Sequence, residues 1–219
     1  MNAPRFPLIV FDWDGTLADS TAVIKRALQR AAADLGYPVP SDEQAAFIIG
    51  MSLRAALAHA VPDLREGDAP ALAERYRQHF LAGEHEIVLF DGVVPMLEGL
   101  RARGHWLAVA TGKSRRGLDR AFDTLGLRAQ FIASRCADEG FAKPHPGMLQ
   151  AIFDETGMEP GQALMIGDTT HDLQLAANAG AHAVGVTYGA HDAALLRSEP
   201  ALTLVDSVAS LRGFLEGNG

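Results

Sequence analysis

Two aspartates two positions apart, Asp12 and Asp14, close the apolar run Leu8-Ile9-Val10-Phe11 and stand directly before Gly15. Four apolar residues in a row read as a buried strand. In an open α/β sheet, ligands bind beyond the carboxyl ends of the strands. The same Asp-x-Asp-Gly string also suits a simple capped turn, but three further segments point beyond one. Thr111-Gly112-Lys113 ends a second apolar run, Asp168 ends a third, and Lys143 precedes Pro144, which keeps it off helical dihedrals and on an extended loop. In a parallel sheet the three strand ends converge. Two like charges about 4 Å apart cost roughly 4 kcal/mol at an effective dielectric near 20, so three carboxylates call for a counter-cation. Oxygen ligands that leave room for water and phosphate favour Mg2+ over Ca2+. The Thr111 hydroxyl, the Lys143 ammonium and backbone N–H groups around Trp13 and Gly112 suit a phosphate dianion. A cation, a carboxylate nucleophile and phosphate donors together read as phosphoryl transfer.

The elements that must position these residues are legible in the apolar spacing. Asp19-Ser20 reads as an N-cap for a helix carrying Ile24, Leu28, Ala31 and Leu35 at helical spacing. Ser41 with Gln44 forms a capping-box pattern for a second helix, and residues 53–60 and 71–81 continue the series. Residues 21–86 contain helical patterns and no strand pattern. From residue 93 the pattern changes. Helices over 93–103, 115–125, 146–157 and 173–179 alternate with strands over 106–110, 131–133, 163–167 and 181–186. That alternation implies βαβ units and a Rossmann-like parallel sheet. The helical block interrupts it after the first strand. We therefore expect an α/β core formed by residues 1–18 and 88–219, with an inserted all-helical cap over 19–87.

Composition narrows the function further. The chain has 219 residues and a formal net charge of −8 with histidine neutral, without a basic run. This argues against nucleic-acid and anionic-membrane partners, so an anionic substrate must be held by a few local cations. Cys136 is the single cysteine, which excludes an internal disulfide and fits a reducing compartment. No apolar stretch reaches the roughly 18 residues of a membrane span, and residues 1–7 lack the apolar segment of a signal peptide. The expectation is a cytoplasmic protein.

Asp12-Trp13-Asp14-Gly15-Thr16-Leu17, Thr111-Gly112-Lys113, Lys143-Pro144 and Gly167-Asp168-Thr169-Thr170-His171-Asp172 resemble the four ordered motifs of the haloacid dehalogenase superfamily. The best match is its phosphatase branch with a helical cap after the first motif, the group that contains phosphoglycolate phosphatases. The resemblance covers nearly the whole chain and implies residue roles. Asp12 would attack phosphorus and become an aspartyl phosphate. Asp14 would protonate the leaving alkoxide and then activate water. The Asp12 carboxylate, the Asp14 backbone carbonyl and the Asp168 carboxylate would bind Mg2+. Thr111 and the Gly112 N–H would hold the phosphoryl oxygens, and Lys143 would neutralise nucleophile and phosphate. Asp172 reads equally as a metal contact and as an N-terminal helix charge. Thr16 is expected to order its loop, and Lys113 to lie behind the site or in solvent. His145 and His171 are expected outside the chemistry. Trp13 replaces the more usual aliphatic residue between the aspartates.

A carboxylate at Asp14 indicates hydrolysis or mutase transfer, since dehalogenases of this superfamily lack it. The implied activity is a Mg2+-dependent phosphatase acting on a small phosphorylated metabolite such as phosphoglycolate. A sugar phosphomutase is the alternative, weakened because Leu53 stands where mutases use arginine. A non-catalytic interaction module would be expected to have lost Asp12 or Asp14. Within the cap, Arg54 is the first candidate to grip a second anion on the substrate and Lys25 the second, with Arg26 expected in solvent.

Overall fold

In the computed structural model, which describes residues 5–218, β1 (Leu8–Phe11) has no solvent exposure on either face. After it come β2 (Ala18–Asp19) and four helices, α1 (Thr21–Asp34), α2 (Asp42–Phe47), α3 (Leu53–Ala60) and α4 (Ala69–Gly83). The chain returns through β3 (Val88–Leu89), α5 (Val93–Ala102), β4 (Trp106–Thr111), α6 (Arg115–Leu125) and β5 (Ala133–Cys136). It continues with α7 (Gly147–Thr156), β6 (Ala163–Gly167), α8 (Thr170–Ala179), β7 (His182–Val186), α9 (Ala193–Leu196), β8 (Thr203–Val205) and α10 (Val208–Asn218).

Six strands form one sheet in the order β5-β4-β1-β6-β7-β8, and every pairing in it is parallel. β1 lies between β4 and β6, with Leu8 in register with both Trp106 and Ala163. The chain builds outward from β1 to β5, then returns to the other side of β1 through β6. This change of direction places a crevice at the carboxyl ends of β1, β4 and β6, where ligands of such sheets bind.

The period of two along each strand divides the core into two layers. Ile9, Phe11, Leu107, Val109, Leu164 and Ile166 pack with side chains of α5, α6 and α10. Leu8, Val10, Ala108, Ala110 and Met165 face α7, α8 and α9. A third cluster belongs to the helical block alone. It joins Val23, Ile24, Ala27 and Leu28 of α1 to Ala45, Leu57, Leu72 and Phe80 of α2, α3 and α4. Ser41 caps α2 with the reciprocal Gln44 bonds that the sequence anticipates. β2 and β3 pair antiparallel, Ala18 with Leu89 and Asp19 with Val88, tying together the two chain crossings between sheet and helices.

Four elements depart from the sequence reading. The strand expected over 131–133 begins two residues later, because Phe131 packs beneath Trp13 and Phe122 instead. β5 is an edge strand carrying the polar Ser134 and Arg135, so its hydropathy conceals it. Beyond residue 186 the chain adds β8, α9 and α10, elements too short or too glycine-interrupted to register as patterns. No helix among the described residues is long and apolar enough to cross a membrane.

Candidate active site

The carboxyl end of β1 delivers Asp12 into a fully buried charge cluster. Its backbone N–H donates to the Ile166 carbonyl at 2.8 Å, which locks the strand end beside β6. The Lys143 ammonium donates to Asp12 Oδ1 and Asp172 Oδ1, both at 2.6 Å. Asp12 Oδ2 is buried with no hydrogen-bond partner. Carboxylate oxygens of Asp12, Asp168 and Asp172 lie within 4.8 Å of one another. Burial above all, with the charges of Asp172 and Asp14, raises the Asp12 carboxyl to about 7 despite the opposing pull of Lys143. Burial, with the charges of Asp12 and Asp172, raises Asp168 well above the usual carboxylate range. Burial alone would lower Lys143, but Asp12 and Asp172 more than reverse this and hold it cationic. With all three carboxylates ionised the cluster would hold more negative charge than one lysine neutralises, which is why Asp12 and Asp168 favour their protonated forms.

The other two aspartates of the cluster are held differently. Asp168 accepts from the Thr16 hydroxyl at 2.8 Å and from the Ala190 N–H at 2.7 Å, one bond to each oxygen. Gly15 closes over it with φ +83°, and a Cβ there would lie 2.1 Å from Asp168 Oδ2, so glycine is required on both counts. Asp172 is committed elsewhere. One oxygen takes Lys143, and the other takes the Thr169 N–H and hydroxyl at 3.1 and 2.7 Å in a capping box for α8. Asp172 thus caps α8 and anchors Lys143, while one of its oxygens stays within 4.8 Å of those of Asp12 and Asp168.

Asp14 faces a second cation. Lys113 donates to its oxygens at 3.0 and 3.1 Å, and the Ser20 hydroxyl donates to Oδ1 at 2.7 Å. Of the two places expected for Lys113, it does not take the solvated one, because it contacts Asp14 directly and its ammonium lies 4.9 Å from the Phe80 ring centroid. Ser20 begins α1 but makes no side-chain cap bond, since its hydroxyl is drawn to Asp14. Trp13, between the aspartates, alternates to the opposite side and is buried edge-on against Phe122 at 5.3 Å. At the end of β4, the Thr111 hydroxyl accepts from the Lys113 N–H at 3.2 Å and keeps its own proton to donate. Gly112 follows at the point of closest approach between the helical block and the sheet. A Cβ there would lie 2.6 Å from the Gly50 carbonyl oxygen.

The helical block leans on the sheet through Phe47. Its carbonyl accepts from His171 Nε2 at 3.0 Å and His191 Nε2 at 3.1 Å, and its ring stacks on His191 at 5.2 Å. Burial lowers both histidines and keeps them neutral. His145 accepts the Gly147 N–H and stacks on Phe141. Neither His145 nor His171 joins the carboxylates. A second link pairs Glu84 with Arg120 of α6 at 2.8 Å.

Between sheet and helices lies a cavity of about 680 Å3, lined by Asp12, Asp14, Thr111, Gly112 and Lys113 at the strand ends. Arg54 lines it as the sequence reading expects and has no ion-pair partner among the described residues. Lys25 and Arg26 do not line it, and are paired with Asp42 and Glu86. Sequence reasoning missed Ser20, Arg116 and Tyr76. Ser20 and Lys113 lie beside recognised motifs, a usable signal. Nothing in the sequence separates Tyr76 from other aromatic residues on a helix.

Three comparisons bear on this geometry. Residues 9–186 match the family model described as haloacid dehalogenase-like hydrolase. The chain is 33% identical over 213 residues to a protein named probable phosphatase IndB from Dickeya dadantii (strain 3937), covering 94% of this chain and 92% of that one. It is also 33% identical over 229 residues to a 5′-nucleotidase from Pseudomonas aeruginosa, covering 99% and 98%. Among solved structures, a predicted phosphoglycolate phosphatase from Haemophilus somnus superposes with a TM-score of 0.83 at 26% identity, covering 97% of this chain and 99% of that one.

Proposed function

The chain belongs to the haloacid dehalogenase-like hydrolases, and from that membership and its phosphatase relatives we propose a Mg2+-dependent phosphatase that acts through Asp12. The observation that carries this reading is Asp12 Oδ2, a buried carboxylate oxygen with no partner, on a residue that lines the cavity and pairs with a buried ammonium. A buried polar atom left unpaired is costly unless a ligand or substrate completes it.

The donor set fits a hard cation. The Asp12 and Asp168 carboxylates and the Asp14 backbone carbonyl would hold Mg2+, which supplies positive charge to a cluster that Lys143 alone leaves negative. Asp172 holds Lys143 and accepts three hydrogen bonds against two for Asp168, which ranks it behind Asp168 as a metal contact. The Thr111 hydroxyl, the Gly112 N–H and Lys143 bind the phosphoryl oxygens. Asp12 Oδ2 attacks phosphorus, the bond to the leaving oxygen breaks, and that oxygen takes a proton from Asp14. A water molecule then returns a proton to Asp14 and attacks the same phosphorus. The Asp12–phosphorus bond breaks, inorganic phosphate leaves, and the carboxylate is restored. Ser20 and Lys113 position Asp14 between the two steps.

The core binds only the phosphoryl group, so the leaving group must be read by the residues above it. On this reading 1–18 and 88–219 form the catalytic core and 19–87 a cap that closes over the site. The close packing of Gly50 on Gly112 and the Phe47 clasp support it. Arg54 would bind an anionic group of the substrate at the cavity mouth.

Hydrolysis of 4-nitrophenyl phosphate tests the reading. The parent chain should turn over with Mg2+ and stop in chelator. Asp12→Asn should be inactive while its circular dichroism matches the parent. Turnover by folded Asp12→Asn would remove Asp12 as nucleophile.

A further inference from the structure

The geometry points to a phosphomonoester whose leaving group is a ring-sized apolar body carrying a hydrogen-bond acceptor, which the Tyr76 hydroxyl reads. This inference rests on the phosphatase reading above and specifies its substrate class.

The cavity is the first observation. Its volume of about 680 Å3 falls within the roughly 300–1,000 Å3 of clefts that enclose drug-sized ligands. A two-carbon acid phosphate would leave most of it filled with water. The wall is the second. Beyond the strand-end residues, the helical block lines the cavity with Ile49, Met51, Leu57, Tyr76 and Phe80, and with the polar Ser52, Glu74, Arg77 and Gln78. The apolar part of this surface gains from burying an apolar ligand. Met51 adds a thioether that adapts to ligand shape.

The cations are the third. A small leaving group with its own carboxylate would need a free positive charge beside the phosphoryl site. Lys113, the lining cation at the strand ends, is paired with Asp14. Arg120 is paired with Glu84 and Arg77 with Glu74. Arg54 and Arg116 have no ion-pair partner among the described residues, but both are solvent-exposed. A charge they bind belongs to the far end of a longer molecule.

Tyr76 is the fourth observation and the most specific. Buried tyrosine hydroxyls ordinarily find a partner. Tyr37 donates to Asp68 at 2.6 Å, and Tyr188 donates to the Thr16 carbonyl at 3.1 Å. Tyr76, the remaining tyrosine, has no hydrogen bond among the described residues, although it is partly buried and lines the cavity. Burial and the nearby Asp14 charge raise its phenol, so it stays protonated and can donate. Its ring is held by stacking on Phe80 at 6.1 Å, and Phe80 is held in turn by Lys113. A positioned, unused donor in an apolar wall selects ligands that carry an acceptor, because pairing it recovers what desolvation costs.

The test compares kcat/KM with Mg2+ for phosphoglycolate, benzyl phosphate and benzyl phosphates acetylated at ring position 2, 3 or 4. It uses the parent chain and Tyr76→Phe, with 4-nitrophenyl phosphate as the reference substrate. Benzyl phosphate should exceed phosphoglycolate at least tenfold. The best acetylated isomer should exceed benzyl phosphate by roughly three- to tenfold, the size of one hydrogen bond, and Tyr76→Phe should bring that ratio to about one. Phosphoglycolate turnover equal to or above that of the benzyl esters overturns the substrate class while the phosphatase reading stands. No gain from any acetyl position, or a gain that survives Tyr76→Phe, overturns the role of Tyr76. Failure of the parent on every ester, 4-nitrophenyl phosphate included, overturns both this inference and the reading beneath it.

Discussion

Lys143 has the most exacting electrostatic position in the molecule. It is fully buried between Asp12 and Asp172, so removing its charge strands two carboxylates without solvent. Lys143→Met should cost about 3–5 kcal/mol in chelator, read as a lower urea midpoint. Adding Asp172→Asn to Lys143→Met should recover part of the loss, and strict additivity of the two changes would show that they do not interact. Asp12 gives the matching pH prediction. Its folded value, about 7, is raised above the ordinary 3.8, so the native state favours the protonated form. The penalty for ionising it is absent below about pH 4, grows through the interval and is complete above about pH 7. In chelator, Asp12→Asn should therefore melt above the parent at pH 8, with the gap closing toward pH 4. A gap that is constant with pH would mean that Asp12 titrates normally.

At the scale of elements, the decisive contact lies between the end of β4 and the segment joining α2 to α3. Gly112 has no room for a side chain, because the Gly50 and Met51 carbonyl oxygens would lie 2.6 and 2.7 Å from its Cβ. Both obstacles are backbone, so an added methyl must separate the two elements. Gly112→Ala should lower kcat/KM by about tenfold or more and expose residues 48–52 to protease. Unchanged protection of that segment would show that the helices do not rest on Gly112. The core layers should be indifferent to this change, since none of their apolar contacts passes through it.

For the whole molecule, the fold concentrates negative charge at one point of a chain whose net charge is already −8. A cation bound there stabilises the native state by mass action, about 2.7 kcal/mol at a concentration one hundred times its dissociation constant. For a chain of this size that corresponds to a melting temperature roughly 5–10 °C higher. Saturating Mg2+ should produce such a shift without any substrate present. Asp168→Asn should abolish it, whereas Asp172→Asn should retain part of it. Equal losses in the two variants would place Asp172 among the ligands.

Much of this protein was determined by local sequence. A short unbroken apolar run reads as a strand buried on both faces, and the residue that ends it emerges at the carboxyl end of the sheet. For that reason Asp12, Asp14, Thr111 and Asp168 could be grouped before any coordinates, and the helical block could be recognised from its change of period. What local sequence could not decide was which partner each side chain takes. Asp14 meets Lys113 across 99 positions, and Thr16 meets Asp168 across 152. Asp172 reads equally as ligand or cap until Lys143, 29 residues away, occupies one of its oxygens. The edge strand β5 is legible only at Ala133, because Ser134 and Arg135 are polar and half-buried. The cavity, with Tyr76 unpartnered in its wall, exists only where helices and sheet meet. Hydropathy and spacing report the surroundings of one segment at a time, whereas partner choice depends on distances that only the packed chain defines.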